Sequence, residues 1–414
     1  MLRVFEAFAG YGSQSIALRN LGIEYEVVAI SEIDKYAIKA YEAIHGPTNN
    51  LGDICKIDPK DIPNHDLFTY SFPCQDLSVA GKQAGLGKGT RSGLLYECEK
   101  IIEAKKPKYL LLENVKNLVG KKFKSQFDEW LGYLEDLGYT NYWKVLNAKD
   151  YGVPQNRERV FVVSILGEHK PYEFPKAIPL DKCIADILED KVDEKYYLSK
   201  EIQNRFKIDN QSKILIPQAT KKGYIEMNLP GVCDLSYPNS KTRIGRVQED
   251  GKVSPTLTAA SQDICYIDLP CICASRGRNP ENPSDRTAGA PTEQRLEFNT
   301  KGTSNTITTV QKDNYVVEPK SIIIDDTQGF DGTRYYDEYS PTLRAGRSGL
   351  KTIQGYRIRK LTPRECFRLM GMRDDDIDKI QAAGISNTQQ YKMAGNSIVV
   401  NVLEAIFKNL FMEG

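Results

Sequence analysis

Over its first 166 residues the chain alternates short apolar runs with longer stretches of helical periodicity. Runs of strand length fall at 3–8 (RVFEAF), 25–30 (YEVVAI), 66–72 (DLFTYSF), 108–115 (KYLLLENV), 142–148 (YWKVLNA) and 159–166 (RVFVVSIL). Between them Ile38, Tyr41 and Ile44 recur at helical spacing. So do Leu94, Leu95, Cys98, Ile101 and Ile102, and then Phe123, Phe127, Trp130, Leu131 and Leu134, with Gly138 placed to end that helix. Strand and helix in turn, joined by short links, predict an α/β fold: a doubly wound, mostly parallel sheet of the Rossmann-like kind.

From 167 to 356 the pattern changes. Gly, Pro, Ser, Thr and Asn become frequent, helical periodicity fades, and 277–294 (GRNPENPSDRTAGAPTEQ) has loop composition throughout. A short phrase recurs at uneven spacing, as SPTLT at 254–258, SNTIT at 304–308 and SPTLR at 340–344, which suits similar small β units better than a solenoid. Helical signals return with LTPRECFRLMG (361–371). There Thr362, Pro363 and Glu365 read as N-cap, first helical residue and capping-box partner. SIVVNVLEAIFKNLF (397–411) reads as one apolar helix, expected to pack back on the first domain. The expected division is therefore 1–166 with 357–414 as one domain and 167–356 as a second, smaller, β- and loop-rich one.

Composition narrows the chemistry. No apolar run reaches 18 residues, and the N-terminus lacks the pattern of a signal peptide. Nine cysteines, an odd number scattered over 414 residues, do not suggest a disulfide framework and read as reduced thiols. Cys271 and Cys273 have the wrong spacing for a zinc knuckle, and His45, His65 and His169 are the only histidines, so no metal is expected and a Ser-His-Asp triad is disfavoured. The net charge of +1 leaves nucleic-acid binding to local basic patches, of which Lys241, Arg243 and Arg246 form one and Arg276 with Arg278 another.

The first strand runs into FAGYGS (8–13), a glycine-rich turn where doubly wound folds bind nucleotides. Glu32 ends the second strand, where a carboxylate holds a ribose hydroxyl pair, and Gly52-Asp53-Ile54 offers an acceptor for an adenine amino group. The turn is not GxGxxG, so adenosine without pyrophosphate fits better than a dinucleotide. Phe72-Pro73-Cys74-Gln75 follows the strand at 66–72, Glu113-Asn114-Val115 ends the strand at 108–115, and Gln155-Asn156-Arg157-Glu158-Arg159 opens the strand at 159. A thiol, a carboxyl and guanidinium groups would thus converge at the carboxyl edge of the sheet. Taken singly each has a bland counterpart: a buried thiol, a solvated carboxylate, a charged loop.

Together, and in this order, FAGxG, PCQ, ENV, QNRER, RxLTPRE..RLMG and GNS resemble the motif set of the DNA cytosine-5 methyltransferase family, bacterial or phage type. The resemblance covers 1–166 and 357–411, and the middle matches only as the family's variable target-recognition region. Ser13 stands where the family usually has a second glycine, and Ser71 where it often has one.

The resemblance implies S-adenosylmethionine as cofactor, contacted by Phe8, Gly10, Gly12, Glu32, Ile33, Asp53, Ile54, Asn396 and Ser397. It implies attack by Cys74 on carbon 6 of a flipped cytosine, with Glu113 bonding ring nitrogen 3 and the amino group, Arg159 the carbonyl oxygen, and Arg157 supporting the pocket. Double-stranded DNA would meet Gln75, Ser78 and Arg91 around a glycine-rich loop (78–93) that closes over it, and Arg276, Arg278, Thr342 and Leu343 in the middle domain. It further implies a monomeric cytoplasmic enzyme, neither membrane-bound nor metal-dependent, serving restriction-modification or orphan phage methylation, with any cognate endonuclease outside the complex. Two relatives stay open beside it: an RNA-acting member, and an inactive DNA-binding one that the intact Cys74, Glu113 and Arg159 argue against. A nicotinamide dehydrogenase would explain the sheet but leave PCQ, ENV and QNRER without a role.

Overall fold

The computed structural model describes residues 1–73, 91–155, 157–182, 186–197, 213–217, 224–228, 231–234, 247, 264–267, 271–278, 293–298, 304, 315–325, 334–336 and 350–413. Residues 91–92 and most of the strands between 213 and 360 are described by backbone alone. The chain divides into two compact units, one of 1–182, 306–310 and 363–414, the other of 183–305 and 311–362.

The first unit is built on a six-stranded sheet of β1 (Leu2–Ala7), β2 (Tyr25–Ser31), β3 (Leu67–Tyr70), β4 (Tyr109–Val115), β5 (Tyr139–Asn147) and β6 (Glu158–Leu166), in the order β2-β1-β3-β4-β6-β5. All four residues of β3 and the middles of β4 and β6 are buried, as befits strands covered on both faces. Helices α1 (Ser13–Asn20), α2 (Lys35–His45), α3 (Leu95–Lys105) and α4 (Lys124–Asp136) fill the crossovers. On one face Phe5, Phe68, Tyr70, Leu110 and Leu112 form a core with Cys98, Ile101 and Ile102 of α3 and Phe127, Trp130 and Leu134 of α4. Gly138, at φ 96°, ends α4 by closing its N–H on the Glu135 carbonyl at 2.9 Å.

The sheet is not wholly parallel. Strands β2, β1, β3 and β4 run parallel, but β6 lies antiparallel to both β4 and β5. The reason lies in the connections. Helix α4 carries the chain over from β4 to β5, whereas 148–157, between β5 and β6, holds only a single turn of 3-10 helix (Ala148–Tyr151), too little for a crossover. The consequence reaches the site: because β6 is reversed, its beginning lies at the carboxyl edge, and Arg159 pairs in register with Val115.

Four helices close this unit: α5 (Pro363–Arg368), α6 (Asp374–Ala382), α7 (Asn387–Asn396) and α8 (Val400–Phe411). Helix α5 begins at Pro363, and the Thr362 hydroxyl before it donates to Glu189. Helix α8 begins three residues later than its apolar run and packs on α1, where Asn20 donates to Glu404 at 2.7 Å. Asp376 of α6, fully buried, takes Arg19 of α1 and Lys379 as ionic partners.

In the second unit β7 (Lys213–Pro217) pairs with β8 (Tyr224–Asn228), and β9 (Gly231–Asp234) with β10 (Ile264–Ile267). A five-stranded antiparallel sheet joins β11 (Cys271–Arg278), β12 (Glu293–Phe298), β13 (Tyr315–Asp325), β14 (Arg334–Tyr336) and β15 (Leu350–Lys360), with β13 and β15 paired along all eleven residues. Arg278, inside the stretch of loop composition, and Arg276 just before it belong to β11, where they pair in register with Glu293 and Arg295. The Gly- and Pro-rich composition starts only at their edge. The recurring SPTLT-like phrases, the 241–246 patch and 279–292 lie outside the described residues, Ser304 apart.

Candidate active site

The glycine-rich turn leaves β1 through three left-handed residues, Phe8 (φ 55°), Gly10 (φ 59°) and Gly12 (φ 81°). For Gly this is free, but for Phe8 it costs on the order of 1–2 kcal/mol. The Phe8 N–H to Ser31 carbonyl bond (2.8 Å) helps to hold it there. The two glycines differ in role. A Cβ on Gly10, a residue of the cavity wall, would meet nothing within 4 Å, whereas one on Gly12 would collide with His45 and come within 2.7 Å of Tyr41. Gly12 therefore serves helix packing as the residue before α1, and it does not line the cavity.

Glu32 follows β2 with its carboxylate fixed by the backbone: Gly10 N–H donates to Oε2 at 2.9 Å, and the N–H groups of Ile33 and Asp34 donate to Oε1 at 2.8 Å each. Ile33 is 73% exposed, an apolar side chain left open beside that carboxylate. Asn50 ties this edge together, accepting from Glu32 N–H (3.1 Å) and Gly52 N–H (3.0 Å) and donating to the Glu32 carbonyl (3.0 Å). Asp53 caps the short turn that begins at Ile54, accepting from Cys55 N–H at 3.1 Å.

Glu113 and Asn114 end β4, both buried. The Arg159 Nε lies 3.2 Å from Glu113 Oε1, a pair that the antiparallel placing of β6 makes possible. Burial pushes the Glu113 carboxyl above its usual range, against the opposing pull of Arg159 and then Arg157. Asn114 turns the other way, donating to the Phe72 carbonyl at 3.1 Å and so anchoring the segment that leads into Cys74.

Arg157 is buried, and its Nη2 donates to the carbonyls of Gly395 (3.1 Å) and Ser397 (2.7 Å) at the end of α7. Gln155, fully buried, donates from Nε2 to the Leu369 carbonyl at 2.5 Å. Two residues of QNRER thus hold RLMG and GNS, some 210–240 positions away in sequence, against the sheet edge.

These parts enclose one cavity of about 420 Å³. Phe8, Gly10, Glu32, Ile33, Asp53 and Ile54 line it, as do Asn396 and Ser397, and Glu113, Arg157 and Arg159 line it too. Pro73, the residue before Cys74, is also in its wall. Cys74, Gln75, Ser78, Thr342, Leu343 and the glycine-rich loop up to residue 90 lie outside the described residues, and Arg91 is described by its backbone only, in a 3-10 turn (Arg91–Leu94). Among the described residues no cluster of side chains could hold a metal ion, and no helix is long and apolar enough to cross a membrane.

Three residues of this site carry no motif of their own: Tyr11, Asn50 and Lys392. Lys392 of α7 reaches Asp34 across the cavity rim at 2.7 Å.

The family model of the C-5 cytosine-specific DNA methylases matches residues 2–412. The type II methyltransferase M2.ScrFI of Lactococcus lactis subsp. cremoris is 36% identical, over 99% of both chains. The orphan methyltransferase M.SPRI of Bacillus phage SPR is 33% identical, over 99% of this chain and 97% of its own. Among solved structures the S. pombe Dnmt2 methyltransferase superposes with a TM-score of 0.55 at 17% identity, covering 100% of this chain and 99% of its own, a likeness of fold. A family match spanning nearly the whole chain, on a sheet that gathers ENV, QNRER and GNS around one cavity, makes the protein an enzyme of the C-5 cytosine-specific DNA methylase family.

Proposed function

We propose that the enzyme transfers a methyl group from S-adenosylmethionine to carbon 5 of a cytosine flipped out of duplex DNA, through a covalent bond to Cys74. The observation that carries this reading is the pair of buried Glu113 with half-buried Arg159 in the wall of the cavity that Glu32 also lines.

The residues present suit an adenosine cofactor. Glu32, already oriented by three backbone N–H groups, keeps a lone pair on Oε2 for a ribose hydroxyl. Ile33 offers an apolar surface for a base, Asp53 an acceptor for an amino group, and Gly10 the open backbone that a ligand can approach. The cavity has the volume expected of a small-molecule site. When bound, S-adenosylmethionine supplies an electrophilic methyl group.

Carbon 5 of cytosine is a poor nucleophile until carbon 6 carries an electron-rich substituent. Addition of the Cys74 thiolate to carbon 6 breaks the 5,6 double bond and leaves carbon 5 enamine-like. A protonated Glu113, favoured by its burial, donates to ring nitrogen 3 and offsets the charge that builds there. Arg159 holds Glu113 by one edge and would bond the ring carbonyl. After methylation a base removes the carbon-5 proton, the double bond re-forms, and the thiolate leaves. Both faces of a stacked cytosine are covered, so the base must leave the helix first. Arg157 is a positioning residue, since its Nη2 is engaged with Gly395 and Ser397.

The test is transfer of labelled methyl from S-adenosylmethionine to duplex DNA and to RNA, with a 5-fluorocytosine duplex as trap. Fluorine cannot leave as a proton does, so a cofactor-dependent band retarded on a denaturing gel is expected. Label in RNA only, or no adduct despite bound DNA, would overturn the reading.

A further inference from the structure

The hydroxyl of Tyr11, the residue between the two glycines of FAGYGS, lies 2.6 Å from the Ser397 hydroxyl. Tyr11 is 1% exposed, and its ring meets Phe367 of α5 edge-on at 5.6 Å. The Ser397 hydroxyl donates to the Ala394 carbonyl at 3.2 Å. Its single proton being used there, Tyr11 is the donor of the shorter bond. The Ser397 carbonyl accepts from Arg157. The turn at 395–397 is therefore held from two sides: by the cofactor turn through Tyr11, and by the strand that carries Arg159 through Arg157.

We propose that Tyr11 is a positioning residue for methyl transfer, its hydroxyl fixing the 395–397 turn so that the cofactor wall of the cavity and the Arg157–Arg159 edge share one rigid element. The proposal rests on S-adenosylmethionine as the ligand of this cavity. It follows that loosening the tie disturbs both halves of the site. The cofactor loses the placing of Asn396 and Ser397, and Arg159 loses the fixed neighbour at the start of its strand. Tyr11→Phe removes the bond to Ser397 and the weaker one to Ser13, while Ser397 keeps Ala394 as acceptor and the ring keeps Phe367.

The experiment is calorimetric titration of the full chain with S-adenosylmethionine, for wild type, Tyr11→Phe, Ser397→Ala and the double variant, with melting temperatures alongside. Tyr11→Phe is expected to weaken binding by up to about fivefold, the limit reached when re-ordering the loosened turn costs the whole net worth of one neutral hydrogen bond. The double variant is expected to bind no more than twofold worse than Ser397→Ala, because both substitutions remove the same bond. At saturating cofactor the single-turnover rate of Tyr11→Phe should also fall a few-fold, which a loss of stability alone would not produce. Wild-type affinity in Tyr11→Phe, or losses that multiply in the double variant, would overturn the proposal. Should Tyr11→Phe not fold, Ser397→Thr against Ser397→Ala decides: the retained hydroxyl must restore affinity, and equal loss in both refutes the tie. If wild type itself takes up no S-adenosylmethionine, the proposed function falls and this inference with it. Wild-type binding with an unaffected Tyr11→Phe removes the inference alone.

Discussion

Asn114 donates from Nδ2 to the carbonyl oxygen of Phe72 at 3.1 Å, and accepts the Val115 N–H on Oδ1 at 2.9 Å. One buried amide thus joins the end of β4, which carries Glu113, to the segment that leads into Cys74. Asn114→Ala leaves a buried carbonyl without its donor, at a cost of about 1–3 kcal/mol. A melting temperature lower by several degrees is expected, with a single-turnover rate at least ~10-fold lower and cofactor affinity little changed. If the variant melts early but turns over at the wild-type rate, the amide is a matter of stability alone.

Cys74→Ser should abolish methyl transfer and adduct formation while cofactor and DNA still bind. A hydroxyl is close to a thiol in size but is hardly ionised at neutral pH. Turnover near the wild-type rate in the purified variant would exclude covalent catalysis by this residue.

Glu113→Gln keeps the shape of the side chain and loses its proton. The rate of the chemical step should fall roughly 100-fold or more, in line with removal of one acid or charge-stabilising group. Calorimetry should show cofactor affinity close to wild type. Unchanged single-turnover rates would take Glu113 out of the chemistry.

Behind the cofactor turn, Glu6 of β1 is wholly buried, accepting from the hydroxyls of Ser15 (2.8 Å) and Tyr41 (2.9 Å). Tyr25 faces it from β2, and Arg19 of α1 lies near that phenol. Burial lifts the Glu6 carboxyl from 4.5 to about 7, against the pull of those hydrogen bonds. The folded chain therefore holds this proton more tightly than the unfolded one. The resulting stability is fully present below pH 4.5 and is lost as pH rises from 4.5 towards 7. The full loss is on the order of 3 kcal/mol. Glu6→Gln cannot ionise, so its stability relative to wild type should be higher at pH 8 than at pH 5. Denaturant midpoints at the two pH values check it, and a difference independent of pH would show that Glu6 does not titrate in this range.

Much of the site is written in short motifs, because a strand end followed by a turn carries both a period and a characteristic residue. Glu32, Glu113 and Arg159 come together for that reason. Strand direction is another matter. Apolar periodicity marks 159–166 as a strand but says nothing of which way it runs, and the ten residues between β5 and β6 decide it. Arg157 reads as part of a charged loop, yet it is buried, because its partners are backbone carbonyls brought in by α7. Tyr11 and Asn50 leave no trace in any period, since polar contacts across 386 or 18 positions have none. Strand β11 is hidden by composition: Gly, Pro and Asn crowd its end and give its last two residues the look of a loop.

Positions 276 and 278 lie on one face of β11, since alternate residues of a strand share a face, and their register partners Arg295 and Glu293 lie on that face too. Arg276 and Arg295 in register, with Arg278 two positions along, put three positive positions on this face against one Glu293, which makes it a candidate for contact with DNA. Base reading and phosphate contact leave different signatures. An Arg that bridges a guanine edge costs ~1–3 kcal/mol at the cognate site when changed to Ala, and relaxes specificity at one base pair. An Arg on a phosphate weakens all sequences alike and lowers the salt dependence by about one ion. Arg276→Ala, Arg278→Ala and Arg295→Ala, titrated with cognate and single-mismatch duplexes at several salt concentrations, separate the two. Because 276 and 295 are opposed, their double variant should lose less than the sum of the singles. If none of the three changes affinity, discrimination or salt slope, this strand pair does not meet DNA.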